Sequence, residues 1–167
     1  MTEQPSLFDI VVPEPPWTGP GLDRLRERAR EPVKKCSCCG GRTKIYRRKL
    51  NSGMARVLVE LYHRRGDWVH LARAIPNIVA TTHSDHAKLE HWGLVTSKPS
   101  PNTECKRDSG FWRITDEGCE FTTRRSRLPS HIFVAPGNVL LGFEDTTVDI
   151  VDALGKHFDY YELMRGE

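Results

Sequence analysis

Three cysteines fall within four residues, Cys36-Ser37-Cys38-Cys39, and Gly40-Gly41 follow them. The C-x-x-C spacing of Cys36 and Cys39 lets two thiolates reach one Zn²⁺, and the glycines let backbone N–H groups turn toward sulfur. Cys38 is a candidate third ligand. A closed structural zinc site takes four ligands, and the chain has no second C-x-x-C. His63, Cys105 and Cys119 carry suitable donor atoms, but nothing in their spacing selects one, and a site shared across a homodimer stands beside them. Lys34, Lys35, Arg42 and Lys44 flank the cluster and would lower its thiol pKa values. The competing reading is a set of free thiols in a tight turn. A redox C-x-x-C fits less well, because the βαβ context it needs is missing. An odd total of five cysteines is no disulfide framework, and such a cluster suits a reducing compartment.

A second possible chemistry is polyanion binding. The net charge is only +3, but it is unevenly placed. Residues 1–35 are neutral, with six Lys/Arg and six Asp/Glu. Residues 36–72 carry eight against two, residues 73–135 nine against seven, and residues 136–167 two against seven. A basic middle with an acidic end suits a protein that meets a polyanion on one face, although an unevenly charged solvated surface reads the same way.

The elements that would position these groups follow from periodicity and punctuation. The first 20 residues contain five prolines and little to bury, which predicts an extended tail. Leu22 to Arg30 is a short basic helix with Leu22, Leu25 and Ala29 on one face, and Thr43 to Leu50 a short strand. Asn51-Ser52 offers a cap for a helix in which Met54, Val57, Leu58, Leu61 and Tyr62 keep the strongest helical period of the chain. Gly66 closes it. A short strand (67–70) and a short helix (71–75) follow, stopped by Pro76. Thr81 to Trp92 is the next helix, with Thr82 or Ser84 as cap and Gly93 after its end. Strands at 94–96 and 111–115 flank a polar loop, and a helix runs from Asp116 to about Ser126. Two apolar runs around Pro136-Gly-Asn138 signal a hairpin, and two short acidic helices (148–154 and 159–164) end the chain.

This order is that of a winged helix-turn-helix. The His91-Trp-Gly-Leu-Val95 turn and Trp112-Arg-Ile-Thr-Asp-Glu-Gly118 resemble the corresponding parts of MarR-like winged-helix regulators over roughly residues 52–126. The cysteine knuckle and hairpin replace that group's dimerising end helices, so its dimer mode and ligand site do not carry over. The whole layout is also similar to small phage or prophage proteins that join a cysteine knuckle to a winged helix. The resemblance implies a recognition helix whose exposed side carries Thr82, His83, Ser84, His86 and Lys88 toward base edges. It implies a wing that places Lys98, Lys106 and Arg107 against phosphate or the minor groove. Outside the resemblance, Arg47, Arg48 and Lys49 in the basic middle of the chain are expected to add phosphate contacts.

The expected fold is therefore α+β: a mainly helical winged helix (51–127), with a tail and short basic helix (1–35), a cysteine knuckle with possible structural zinc (36–50) and a C-terminal hairpin plus short acidic helices (128–167). The expected function is duplex DNA binding as a regulator. The rival is a non-catalytic adaptor or inhibitor directed at a protein partner, since winged helices also bind proteins and residues 81–92 are not strongly basic. Gln4-Pro-Ser-Leu7-Phe8 resembles the motif that docks on the bacterial sliding clamp, with proline where leucine is usual. Leu7 and Phe8 could equally fold back on the chain. No Gly-rich phosphate loop, H-E-x-x-H or G-x-S-x-G is present, His83-Ser-Asp-His86 reads as a helix cap, and Glu144-Asp145 reads as solvated surface, so no enzyme is expected. No apolar run approaches the roughly 18 residues of a membrane span, and the N-terminus lacks a signal-peptide pattern, which predicts a soluble cytoplasmic protein.

Overall fold

The computed structural model describes residues 20–82, 85–100 and 110–166. The architecture is mixed α+β. Helix α1 (Pro20–Arg30) precedes strand β1 (Tyr46–Lys49), and helix α2 (Ser52–His63) follows. Strand β2 (Val69–His70) leads into the short helices α3 (Leu71–Ala74) and α4 (Pro76–Thr82). A 3₁₀ helix (Asp85–Trp92), strands β3 (Val95–Ser97) and β4 (Phe111–Ile114) and helix α5 (Asp116–Thr122) come next. Strands β5 (Leu128–Pro129), β6 (His131–Ala135), β7 (Val139–Phe143) and β8 (Thr147–Val148) precede helices α6 (Ile150–Leu154) and α7 (Tyr160–Arg165). No helix among the described residues is long and apolar enough to cross a membrane.

Helix α2 is the hub. Asn51 caps it by accepting a hydrogen bond from the Met54 N–H at 3.0 Å, satisfying one of the orphan donors of the first turn. Its buried face, Met54, Ala55, Val57, Leu58 and Leu61, joins Leu89, Trp92, Trp112, Phe121, Ile132, Ile150 and Leu154 in one core. That core does not respect the sequence segmentation, because side chains from residues 128–167 fill it alongside those of residues 51–127. The knuckle segment is joined to the C-terminal segment as well. Strand β1 pairs antiparallel with β6, and β6 with β7, so the expected hairpin forms a three-stranded sheet with residues far upstream.

A second three-stranded sheet has the order β2-β4-β3, all antiparallel. The Thr115-Asp-Glu-Gly118 stretch locks this sheet to α5. The Thr115 hydroxyl accepts from the Gly118 N–H at 3.0 Å and donates to the Gly93 carbonyl at 2.6 Å. A Cβ at Gly118 would stand 2.2 Å from the Leu94 carbonyl oxygen, so only glycine lets helix and strand approach this closely. Gly93, with φ +71°, reverses the chain between the 3₁₀ helix and β3.

The stretch 81–92 departs from the single α-helix expected of it. Helix α4 ends at Thr82, and Asp85–Trp92 is 3₁₀. Thr81 and Thr82 donate their hydroxyls back to the carbonyls of Ile78 and Val79, which competes with regular helix continuation.

Candidate functional site

The cysteine knuckle is a small hairpin. Lys35 and Arg42 form its closing β-bridge, the Cys36 N–H donates to the Gly41 carbonyl at 2.7 Å, and the Gly40 N–H donates to the Cys36 carbonyl at 2.9 Å. Gly40 has φ +68°, a conformation glycine takes without steric cost. This turn places the sulfurs of Cys36, Cys38 and Cys39 within 4.8 Å of one another, close enough to hold one metal ion. The Cys36 and Cys38 sulfurs are 2.8 Å apart. Tetrahedral Zn–S bonds of about 2.3 Å imply sulfurs roughly 3.8 Å apart, so these two would open by about 1 Å to seat zinc.

The Cys36 thiol is lowered to about 7, first by a hydrogen bond from the Cys38 thiol and then by the backbone N–H groups of Cys38 and Cys39. Cys38 is raised, because it gives its proton to that bond. The turn therefore activates one thiol by its own geometry, whereas sequence reasoning assigned that effect to the flanking lysines. Among the described residues neither His63 nor Cys119 joins the cluster. The His63 ring is hydrogen-bonded to the Leu163 carbonyl at 2.8 Å. Cys119 lies on α5, where burial raises its pKa, and lines an open cleft with Arg65, Thr96 and Arg113. Cys105 lies outside the described residues.

The knuckle is continuous with a basic arm. Residues 20–49 hold eleven Lys/Arg and three Asp/Glu. Helix α1 docks this arm on the β1-β6-β7 sheet through Leu22, Ile45 and Phe133, with Leu25, Ala29 and Leu141 around them. Charge pairs add to the docking. Arg26 Nε donates to Glu144 Oε1 at 2.6 Å, Arg47 Nε donates to Glu144 Oε2 at 2.8 Å, and Arg26 also reaches Asp145 at 2.7 Å. Burial alone would raise the Glu144 carboxyl, but the hydrogen bonds from Arg47 and Arg26 outweigh it and hold it below the ordinary value. Glu144 is thus no solvated turn residue. At 5% exposure it is the carboxylate around which the arm is fixed.

The candidate DNA contacts separate accordingly. Arg47 is committed to Glu144. Arg48 points the other way, over the Tyr46 ring at 5.0 Å, and shares with Lys88 a groove of about 300 Å³ lined also by Val134 and Asn138. Lys49 is exposed, as is Lys98, whose N–H donates to the Phe111 carbonyl at 2.8 Å. Lys88 is ion-paired with Asp85. The exposed reading face expected of residues 82–88 is corrected at two positions. Thr82 is 5% exposed and His86 9%, the latter edge-on to the Trp112 ring at 5.3 Å. Both face the core because of what packs on them: Thr82 lies over Gly53 of α2, and His86 lies against Trp112 of β4. His83, Ser84, Lys106 and Arg107, and the tail residues Gln4, Leu7 and Phe8, lie outside the described residues.

No family model, curated protein or solved structure matches the chain. The geometry of the chain itself must carry any functional reading. Sequence reasoning read this segment as a basic helix but named none of its cations as contacts; Arg24, Arg28 and Arg30 are exposed and in no ion pair with a described carboxylate. The i,i+4 spacing of Arg24 and Arg28 was a legible signal for one solvated basic edge. It also missed Tyr46 and Asn138, whose place beside Arg48 depends on the β1-β6 register.

Proposed function

We propose that this chain binds duplex DNA as a regulator and does so as a winged helix with a basic N-terminal arm. The observation that carries the proposal is the excess of exposed cations on the arm. Arg24, Arg28, Lys35, Arg42, Arg48 and Lys49 are solvent-facing and none pairs with a described carboxylate. An excess of exposed Lys and Arg without ion-pair partners along one segment is the electrostatic signature of phosphate binding. The order α2, β2, α3–α4, 3₁₀ helix, β3, β4, with β4 central in its sheet, supports the winged-helix part of the reading. On this reading Arg48, Lys49 and Lys98 contact phosphate, and Lys88 approaches the duplex beside Arg48. Lys106 and Arg107 belong to the wing. We take the ion suited to the cysteine knuckle to be zinc, which would stiffen the arm at its tip.

A second reading has its own support. Burial of Thr82 and His86 removes two of the groups meant to read bases, which favours a non-catalytic adaptor or inhibitor acting on a protein. The Gln4, Leu7 and Phe8 tail would then be the contact, with a sliding clamp as one candidate partner. Fluorescence anisotropy with a mixed-sequence duplex at several salt concentrations separates the two. Duplex binding with a steep negative salt slope supports the first. Absence of binding at low salt, with retention of the chain by an immobilised clamp, supports the second and sinks the first.

A further inference from the structure

We propose that Cys36, Cys38 and Cys39 hold one zinc ion as three thiolates at the protein surface, leaving an outward fourth position that takes a thiolate from outside the chain. The inference rests on the zinc reading and goes beyond it, because a structural zinc site is closed by four protein ligands. All three sulfurs come from one tight turn and lie within 4.8 Å of one another. Donors gathered from a single turn occupy one side of an ion and leave its opposite side facing away from the chain. Two of the three, Cys38 and Cys39, are exposed, so among the described residues nothing closes that opposite side.

The electrostatics agree. Zinc with three thiolates carries one net negative charge. Lys35 and Arg42, which close the hairpin, would offset it, while Lys34 is paired with Glu31. The same cations favour an incoming anionic donor over a neutral one. A thiolate is the donor whose softness matches the three already present. Cys38 is the decisive residue. A two-ligand C-x-x-C site would use only Cys36 and Cys39, yet the Cys38 sulfur lies 2.8 Å from that of Cys36.

The test uses the full chain under a non-thiol reductant, with Cd²⁺ as the spectroscopic stand-in for zinc. Its thiolate-to-metal absorption grows with the number of thiolates bound. One ion per chain is expected, with C36S, C38S and C39S each losing one thiolate's share of the band. Each should also weaken binding by roughly a hundredfold, one ligand's part in a zinc-finger-like affinity. C105S and C119S should bind as the parent does. Adding β-mercaptoethanol to the loaded protein should raise the band by one further thiolate. Metal protection from alkylation, mapped by mass spectrometry on the unsubstituted chain, should cover Cys36, Cys38 and Cys39, and needs no variant to fold.

An unchanged band in C38S together with an unprotected Cys38 overturns the three-thiolate site. A loss in C105S or C119S, or one ion per two chains, means the fourth position is already closed and overturns the open one. No band in the parent protein removes the zinc reading itself, which is a different failure from either.

Discussion

The hub around α2 and the basic arm of α1, the knuckle and β1 are built on different principles. Among the described residues the hub buries twenty-two apolar residues in one cluster, whereas the arm is docked through three. With about 2 kcal/mol for each large apolar side chain removed from water, the hub carries its own stability and the arm does not. The arm is held by those three, by the pairing of β1 with β6 and by Glu144, reached from Arg26 and Arg47. Its remaining cations stay in solvent. A surface that keeps so much charge exposed buries little apolar area, and strand pairing and long-range ion pairs add to its docking.

The comparison can be broken first in the hub. Gly118→Ala would force a Cβ against the Leu94 carbonyl and should destabilise the whole protein by about 3 kcal/mol, in the range of overpacked cores. A thermal melt reads this directly, and an unchanged Tm would mean that α5 and β3 are not packed so closely.

Next comes the joint between the two regions. Glu144→Gln should cost about 1–2 kcal/mol through the loss of charge-assisted hydrogen bonds. The sign of the pH effect follows from its lowered carboxyl. The stabilisation is complete above the ordinary value of 4.5 and is lost as the pH falls through the lower folded value. The parent should therefore lose its advantage over the variant on acidification. Hydrogen exchange should show α1 amides responding before those of α2. Equal loss in both helices would mean that arm and hub unfold as one unit.

On the arm itself, Arg48→Ala combined with Lys49→Ala should leave the stability within about 0.5 kcal/mol of the parent's. It should reduce the slope of log affinity against log salt for duplex DNA by about two. An unaltered slope would move the interface elsewhere.

The smallest effect is expected at Thr82. Thr82→Val removes a hydroxyl that donates within its own helix to the Val79 carbonyl. It should cost about 1 kcal/mol or less and leave DNA affinity alone, as measured by the same anisotropy titration. A specific loss of affinity would restore Thr82 to the reading face.

Much of the hub was legible because its signals are local. The apolar period from Met54 to Tyr62 depends on residues three and four apart. The Asn51 cap and the reversal at Gly93 are likewise matters of one turn of chain. The hairpin at Pro136-Gly-Asn138 was readable for the same reason. The segment boundaries at 50 and 128 were less informative. Nothing local announces that Tyr46 to Lys49 will lie beside His131 to Val134. The cysteine cluster was visible as a spacing, but the meeting of all three sulfurs required the turn geometry.

By itself, then, the amino-acid order determined the local periods, the caps, the glycine reversals and the charge asymmetry, since each depends on residues a few positions apart. Tertiary structure alone decided which cations remain free. It buried Glu144 between Arg26 and Arg47, set Arg48 beside Lys88 and turned Thr82 and His86 inward. These outcomes rest on contacts between residues up to 118 positions apart, and a charge's availability depends on what the fold places next to it.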